Sequence, residues 1–111
     1  MKQHRQLYIN HRETEAEITR SIRATLKHLG IFHWKHWSGP MTYPKGIPDI
    51  LGVYKGRMLA IEVKTKKGQL TEAQELFLND IRREGGLAFV ARSAEDVIEK
   101  LGLKDRFLFK I

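Results

Sequence analysis

Two carboxylates and an amine, Asp49, Glu62 and Lys64, are the side chains best placed to do chemistry; all three lie within residues 46–64, GIPDILGVYKGRMLAIEVK. Aliphatic and β-branched residues alternate on either side of a glycine, which predicts two strands joined by a tight turn at Lys55-Gly56-Arg57. With the turn centred near Gly56, Asp49 falls almost opposite Glu62. Glu62 and Lys64 are two apart in one strand and share a face, whereas Leu59, Ile61 and Val63 take the other face as a core layer. A buried charge without a partner is costly. Two arrangements would offset it: an ion pair of Lys64 with Glu62 or Asp49 at an exposed sheet edge, or a divalent cation. Carboxylate oxygens suit Mg²⁺, which takes one or two carboxylates and otherwise keeps water or phosphate oxygens.

Pro48-Asp49, followed after a short hairpin by Glu62-Val63-Lys64, resembles the PD-(D/E)xK nuclease signature. GIPDI, IEVK and the downstream Gln74 in LTEAQ together resemble the virus-type replication-repair nuclease branch, the VRR-NUC domain, over residues 13–92. The resemblance implies an α/β fold with a restriction-endonuclease-like core, a mixed β-sheet flanked by helices. It implies a deoxyribonuclease that hydrolyses phosphodiester bonds with Mg²⁺ or Mn²⁺, held by Asp49, Glu62 and the backbone carbonyl of Val63. Lys64 would position the attacking water, act as a base, or offset charge developing on the phosphate. A glutamine at the place of Gln74 accompanies the catalytic strand in the family. Members consisting of the nuclease domain alone resemble homodimeric Holliday-junction resolvases, which implies a homodimer acting on branched or flap-like DNA.

The elements that must position these groups follow in chain order. Residues 13–29 read as a helix: Thr14 is the expected N-cap, Glu17 completes a capping box, and Ile18, Ile22, Leu26 and Leu29 form the buried stripe before Gly30 ends it. At about 100° per residue Glu15 shares the face of Ile18 and Ile22, whereas Glu17 points away. The family resemblance implies a helix-borne glutamate that helps bind the metal, and that role is carried onto Glu15. Both acids also complement the helix dipole.

Residues 31–37 are expected to form a short strand, followed by a loop broken at Ser38-Gly39-Pro40 and Pro44. His33 and His36 lack neighbouring Cys or His ligands for zinc. Trp34 and Trp37, with Lys35 and Lys45 nearby, could stack on or cradle unpaired nucleotides. Lys66 and Lys67 follow the catalytic strand and would meet DNA phosphates without reading sequence; as a solvated loop they need no function. Thr71 begins a second helix in which Gln74 either completes a capping box or reaches the catalytic lysine or a phosphate. Its expected buried stripe is Ala73, Leu76, Phe77 and Ile81, closed by Gly85-Gly86. LAFVA, residues 87–91, reads as an interior strand parallel to that of Glu62. Ser93 caps a third helix over 94–101, and residues 106–111 could form an edge strand or a subunit contact.

At 111 residues the chain is read as one domain, residues 1–111. Its 41% apolar and 30% charged residues exclude a disordered composition. The absence of cysteine removes disulfides and thiolate metal sites and fits a reducing cytoplasm. No stretch approaches the ~18 apolar residues of a membrane span, and residues 1–15 lack the apolar segment of a signal peptide. Net charge +7 and a pI near 9.9 favour a polyanionic partner, nucleic acid foremost. Leu7, Tyr8 and Ile9 could pack on the domain or on a partner subunit. Two other function classes stay open on the sequence: a catalytically silent DNA-binding or assembly module, and an RNA-directed nuclease.

Overall fold

The computed structural model describes residues 12–104. The elements are α1 (Glu15–His28), β1 (His33–Lys35), β2 (Ile50–Tyr54), β3 (Arg57–Val63), α2 (Glu72–Arg83), β4 (Leu87–Ala91) and α3 (Ala94–Lys100). Local chemistry sets the helix ends. Thr14 and Thr71 cap α1 and α2 in full capping boxes closed by Glu17 and Gln74, and Ser93 caps α3 through the Asp96 N–H. At the other end of α1, Gly30 adopts φ 72°, and the Ile31 N–H reaches back to the Leu26 carbonyl at 2.9 Å, a Schellman motif that places Ile31 in the core.

The sheet runs β1-β2-β3-β4, antiparallel across the first two junctions and parallel between β3 and β4. Lys55 and Gly56 both have positive φ (50° and 78°) and form a two-residue turn that pairs Tyr54 with Arg57 and Ile50 with Ile61. This register decides which side chains face which layer, since a slip of one residue would turn every side chain over. Ile50, Leu59, Ile61, Val63, Phe89 and Ala91 meet Ile18, Ile22 and Leu26 of α1 and Val97 of α3. Each of the fully buried aliphatic side chains contributes about 1.5–3 kcal/mol relative to exposure. On the opposite face Leu51, Ala60 and Ala88 pack against Leu78 and Ile81 of α2. The result is a mixed four-stranded sheet between helices, the α/β architecture expected.

Three local expectations are corrected. The first strand is confined to His33–Lys35, because only the Phe32 carbonyl and the His36 N–H extend its pairing before the chain turns away. In α2 the buried stripe is Leu78 and Ile81, whereas Leu76 is 55% exposed. Gln74, Leu78 and Ile81 follow one another at four- and three-residue steps, so Gln74 continues the sheet-facing row. Glu15 is exposed and stands at a cleft mouth rather than on the core stripe. The expectations for Leu7, Tyr8, Ile9 and residues 106–111 lie outside the described residues. Among the described residues no helix is long and apolar enough to cross a membrane.

Candidate active site

Glu62 projects from β3 toward the α2 side, in the row of Ala60, yet it is only 2% exposed. Its two oxygens differ. Oε2 accepts a hydrogen bond from Gln74 Nε2 at 3.2 Å and lies 3.8 Å from Lys64 Nζ. Oε1 is buried and accepts no hydrogen bond. Burial pushes the carboxyl from 4.5 up to about 8, reinforced by the Asp49 charge and by the hydrogen bond that a protonated Glu62 can give Asp49; Lys64 opposes the shift, and Glu15 adds slightly to it. Gln74 completes the expected capping box, but its amide reaches Glu62 rather than the catalytic lysine. Its Oε1 accepts from the Thr71 N–H at 2.9 Å, so its amide nitrogen is turned to Glu62.

Asp49 stands one residue beyond the last β2–β3 pair, Ile50 with Ile61, and therefore opposite Glu62. Its Oδ2 accepts from the Val63 N–H at 2.8 Å, taking the place of a ladder bond just before β2 begins. Its own carbonyl accepts from the His36 N–H at 2.8 Å, so the residue is held from both neighbouring strands. Pro48, immediately before it, is fully buried. The Lys64 N–H points the other way, to the Ala91 carbonyl of β4 at 3.1 Å. A trans peptide sets the Val63 carbonyl opposite that N–H, and hence toward Asp49. Both carboxylates and this carbonyl thus converge at the end of the β2–β3 ladder. The Lys64 ammonium, itself largely buried, closes the group.

The outlying candidates stand apart from this group. Glu15 lines a cleft of about 420 Å³ together with Asp49, whereas Glu17 is engaged in the α1 capping box. Lys66 and Lys67 are exposed in the turn after Lys64. Lys45 donates to the Pro40 carbonyl at 2.8 Å, bracing its own loop. A second cleft, of about 460 Å³, lies between the β2–β3 turn and the end of α2, lined by Met58, Phe77, Ile81, Asp80 and Glu84 among others and by neither Asp49 nor Glu62.

Two positioning residues escaped the sequence reading. Arg92, just past β4, donates from Nη1 to the carbonyls of Thr65 (2.5 Å) and Gly68 (2.8 Å), with a longer contact to that of Lys66 (3.3 Å). It fixes the turn that follows Lys64. Gly46 has φ 79° and lies so close to α2 that a Cβ would collide with the Ala73 carbonyl and the Gln74 N–H. An arginine after an apolar strand and a glycine before a proline were the available signals, but neither reveals its distant partner.

Among the described residues no group of three or more His, Cys, Asp or Glu is placed to hold a metal. Two carboxylates and a main-chain carbonyl nevertheless match the sparse, oxygen-only donor set of Mg²⁺ or Mn²⁺. The buried Glu62 Oε1, which has no donor, is the atom that a cation would satisfy. The residues fit such an ion.

A family model described as the VRR-NUC domain matches residues 2–95 of the 111-residue chain. No curated protein and no solved structure gives a match. The matched span contains the hairpin with Asp49, Glu62 and Lys64, the Gln74 helix and the parallel strand after it, and the chain belongs to the VRR-NUC family of nuclease domains.

Proposed function

We propose that this domain is a metal-dependent DNA endonuclease, selective for branched substrates such as Holliday junctions or flaps and active as a homodimer. The observation that carries the reading is the buried Glu62, with one oxygen lacking a donor, set opposite an Asp49 whose carboxylate is already tied to the Val63 N–H. Asp49, Glu62 and the Val63 carbonyl would hold Mg²⁺ or Mn²⁺; when bound, such an ion polarises a phosphodiester oxygen and acidifies water.

The protein's own groups do the rest. Hydrolysis forms a bond from a water oxygen to phosphorus, breaks a phosphorus–oxygen bond, and delivers a proton to the leaving oxygen. The Lys64 ammonium, 3.8 Å from Glu62 Oε2, would donate to a phosphate oxygen as charge builds there. Gln74 keeps Glu62 turned inward through its amide, and Gly46 lets the first turn of α2 come close enough to do so. Glu15 stands at the cleft mouth beside Asp49, where it can orient water. Lys66 and Lys67 would contact neighbouring phosphates, on a turn that Arg92 holds in shape. Lys45 would add to the basic rim once its bond to Pro40 is exchanged for phosphate. A symmetric dimer would supply two sites for two strands and double the basic surface.

Labelled junction, flap and plain duplex DNA, incubated with the protein and Mg²⁺ or Mn²⁺, test the reading. Cleavage should favour the branched substrates and vanish in Asp49→Ala and Lys64→Ala while DNA binding persists. Cutting that survives both substitutions contradicts it.

A further inference from the structure

The cleft that Glu15 and Asp49 line carries further groups that hydrolysis does not require. Arg20 and Arg23 of α1 line it, as do Lys35 and Trp37, which flank the His36 whose N–H bonds the Asp49 carbonyl. The two arginines are three residues apart and so neighbours on one helix face. Among the described residues neither is engaged in an ion pair. Trp37 is 78% exposed, an unusual position for the largest of the aromatic rings. Lys35 Nζ lies 4.3 Å from the centre of that ring, which backs one face with a cation and leaves the rest of the indole to solvent.

A row of cations beside an open aromatic face, in a cleft of about 420 Å³, has the chemistry of a nucleotide platform. The guanidinium groups suit phosphate oxygens, and the ring suits the face of a base. In a duplex the base faces are covered by their stacked neighbours, and a protein meets only phosphates and groove edges. Against nucleic acid, a solvent-facing tryptophan meets a bare base face most readily where the base is unpaired. We infer that Arg20, Arg23, Lys35 and Trp37 form a binding site for unpaired nucleotides adjoining the acidic centre, with Trp37 stacking on a base and the arginines holding its backbone. The inference rests on the nuclease reading of that centre and deepens it: the substrate presents single-stranded nucleotides next to the bond that is cut, as a flap or an opened junction does.

Binding in EDTA tests it without any cleavage. The probes are fluorescein-labelled oligothymidylate of about 12 nucleotides, within the range of single-strand sites, and a hairpin duplex of matched phosphate number. Trp37→Ala should weaken single-strand binding roughly tenfold, the loss expected for one stacked base, with less than about a twofold change on duplex. Trp37→Phe, which retains an aromatic face, should recover most of the affinity. Arg20→Ala combined with Arg23→Ala should lower affinity and flatten the salt dependence. Because Trp37 is exposed, unchanged thermal unfolding of its variants confirms that the fold is intact. Equal losses on both probes, or no loss on either, overturn the platform. The two readings fail separately: cutting that survives Asp49→Ala would remove the nuclease while leaving these affinities unaltered, and unselective losses here would leave the nuclease standing.

Discussion

Replacing Glu62 with glutamine exchanges a buried ionisable group for a neutral one of nearly the same shape. In the folded chain burial pushes the Glu62 carboxyl up to about 8, against 4.5 when unperturbed. Between those values the folded state holds a proton that the unfolded state has lost, so stability falls as pH rises through the interval. The penalty is absent below the lower value and complete above the upper one. The interval corresponds to at most roughly 5 kcal/mol, at about 1.36 kcal/mol per pH unit. The opposing pull of the Lys64 ammonium is already contained in that interval, and water entry should leave on the order of 2 kcal/mol. Glu62→Gln should therefore gain on the wild type by that amount between pH 5 and pH 8.5, which at about 4–8 °C per kcal/mol is a relative Tm gain of roughly 10 °C. Urea or thermal unfolding in EDTA across the pH series measures the slope. A difference between variant and wild type that is flat with pH, or that shrinks as pH rises, would refute the reasoning.

Other perturbations test the supports of the site. Gly46→Ala should push the first turn of α2 away from the loop, costing at least about 1 kcal/mol and reducing cleavage more than DNA binding, as read by unfolding and single-turnover assays. Gln74→Ala removes both the capping partner of Thr71 and the donor to Glu62 Oε2; we expect about 1 kcal/mol of destabilisation by urea titration, with slower cleavage at saturating DNA. Arg92→Ala leaves the Thr65 and Gly68 carbonyls without their donor, so amide exchange over residues 65–68 should accelerate while the β3–β4 amides stay protected.

Much of the site could be read from local pattern. Alternation about Gly56 brought Asp49 almost opposite Glu62; the turn of Lys55 and Gly56 alone, one residue shorter than the Lys55-Gly56-Arg57 turn expected, fixes the register and with it the set of faces. The capping residues Thr14, Thr71 and Ser93 were legible for the same reason: a cap acts on a backbone three residues away. Contacts between distant segments were not legible. The Arg92 bonds to the turn after Lys64, and the approach of Gly46 to α2, depend on how β4 and α2 settle on the sheet. Helical periodicity placed Glu15 on the core stripe, but a residue in the first turn overhangs the end of the layer it would pack on, and it meets the cleft instead. In α2, Leu76 and Leu78 are chemically alike, and only the position of the sheet selects Leu78 for burial. Gln74 admitted a capping role and a catalytic-strand role on the sequence. An amide has a donor end and an acceptor end, and the fold uses each.

Calorimetric titration of Mn²⁺ into the protein at pH 7, in buffers of different ionisation enthalpy, bears most directly on the claim that Asp49 and Glu62 grip one ion. One ion should bind per chain with release of nearly one proton, since burial keeps Glu62 largely protonated at that pH and it must give up its proton to become a ligand. Asp49→Asn and Glu62→Gln should each weaken binding by at least about tenfold, and the latter should abolish the proton release. Binding that is unchanged in both variants, or that displaces no proton in the wild type, would contradict it.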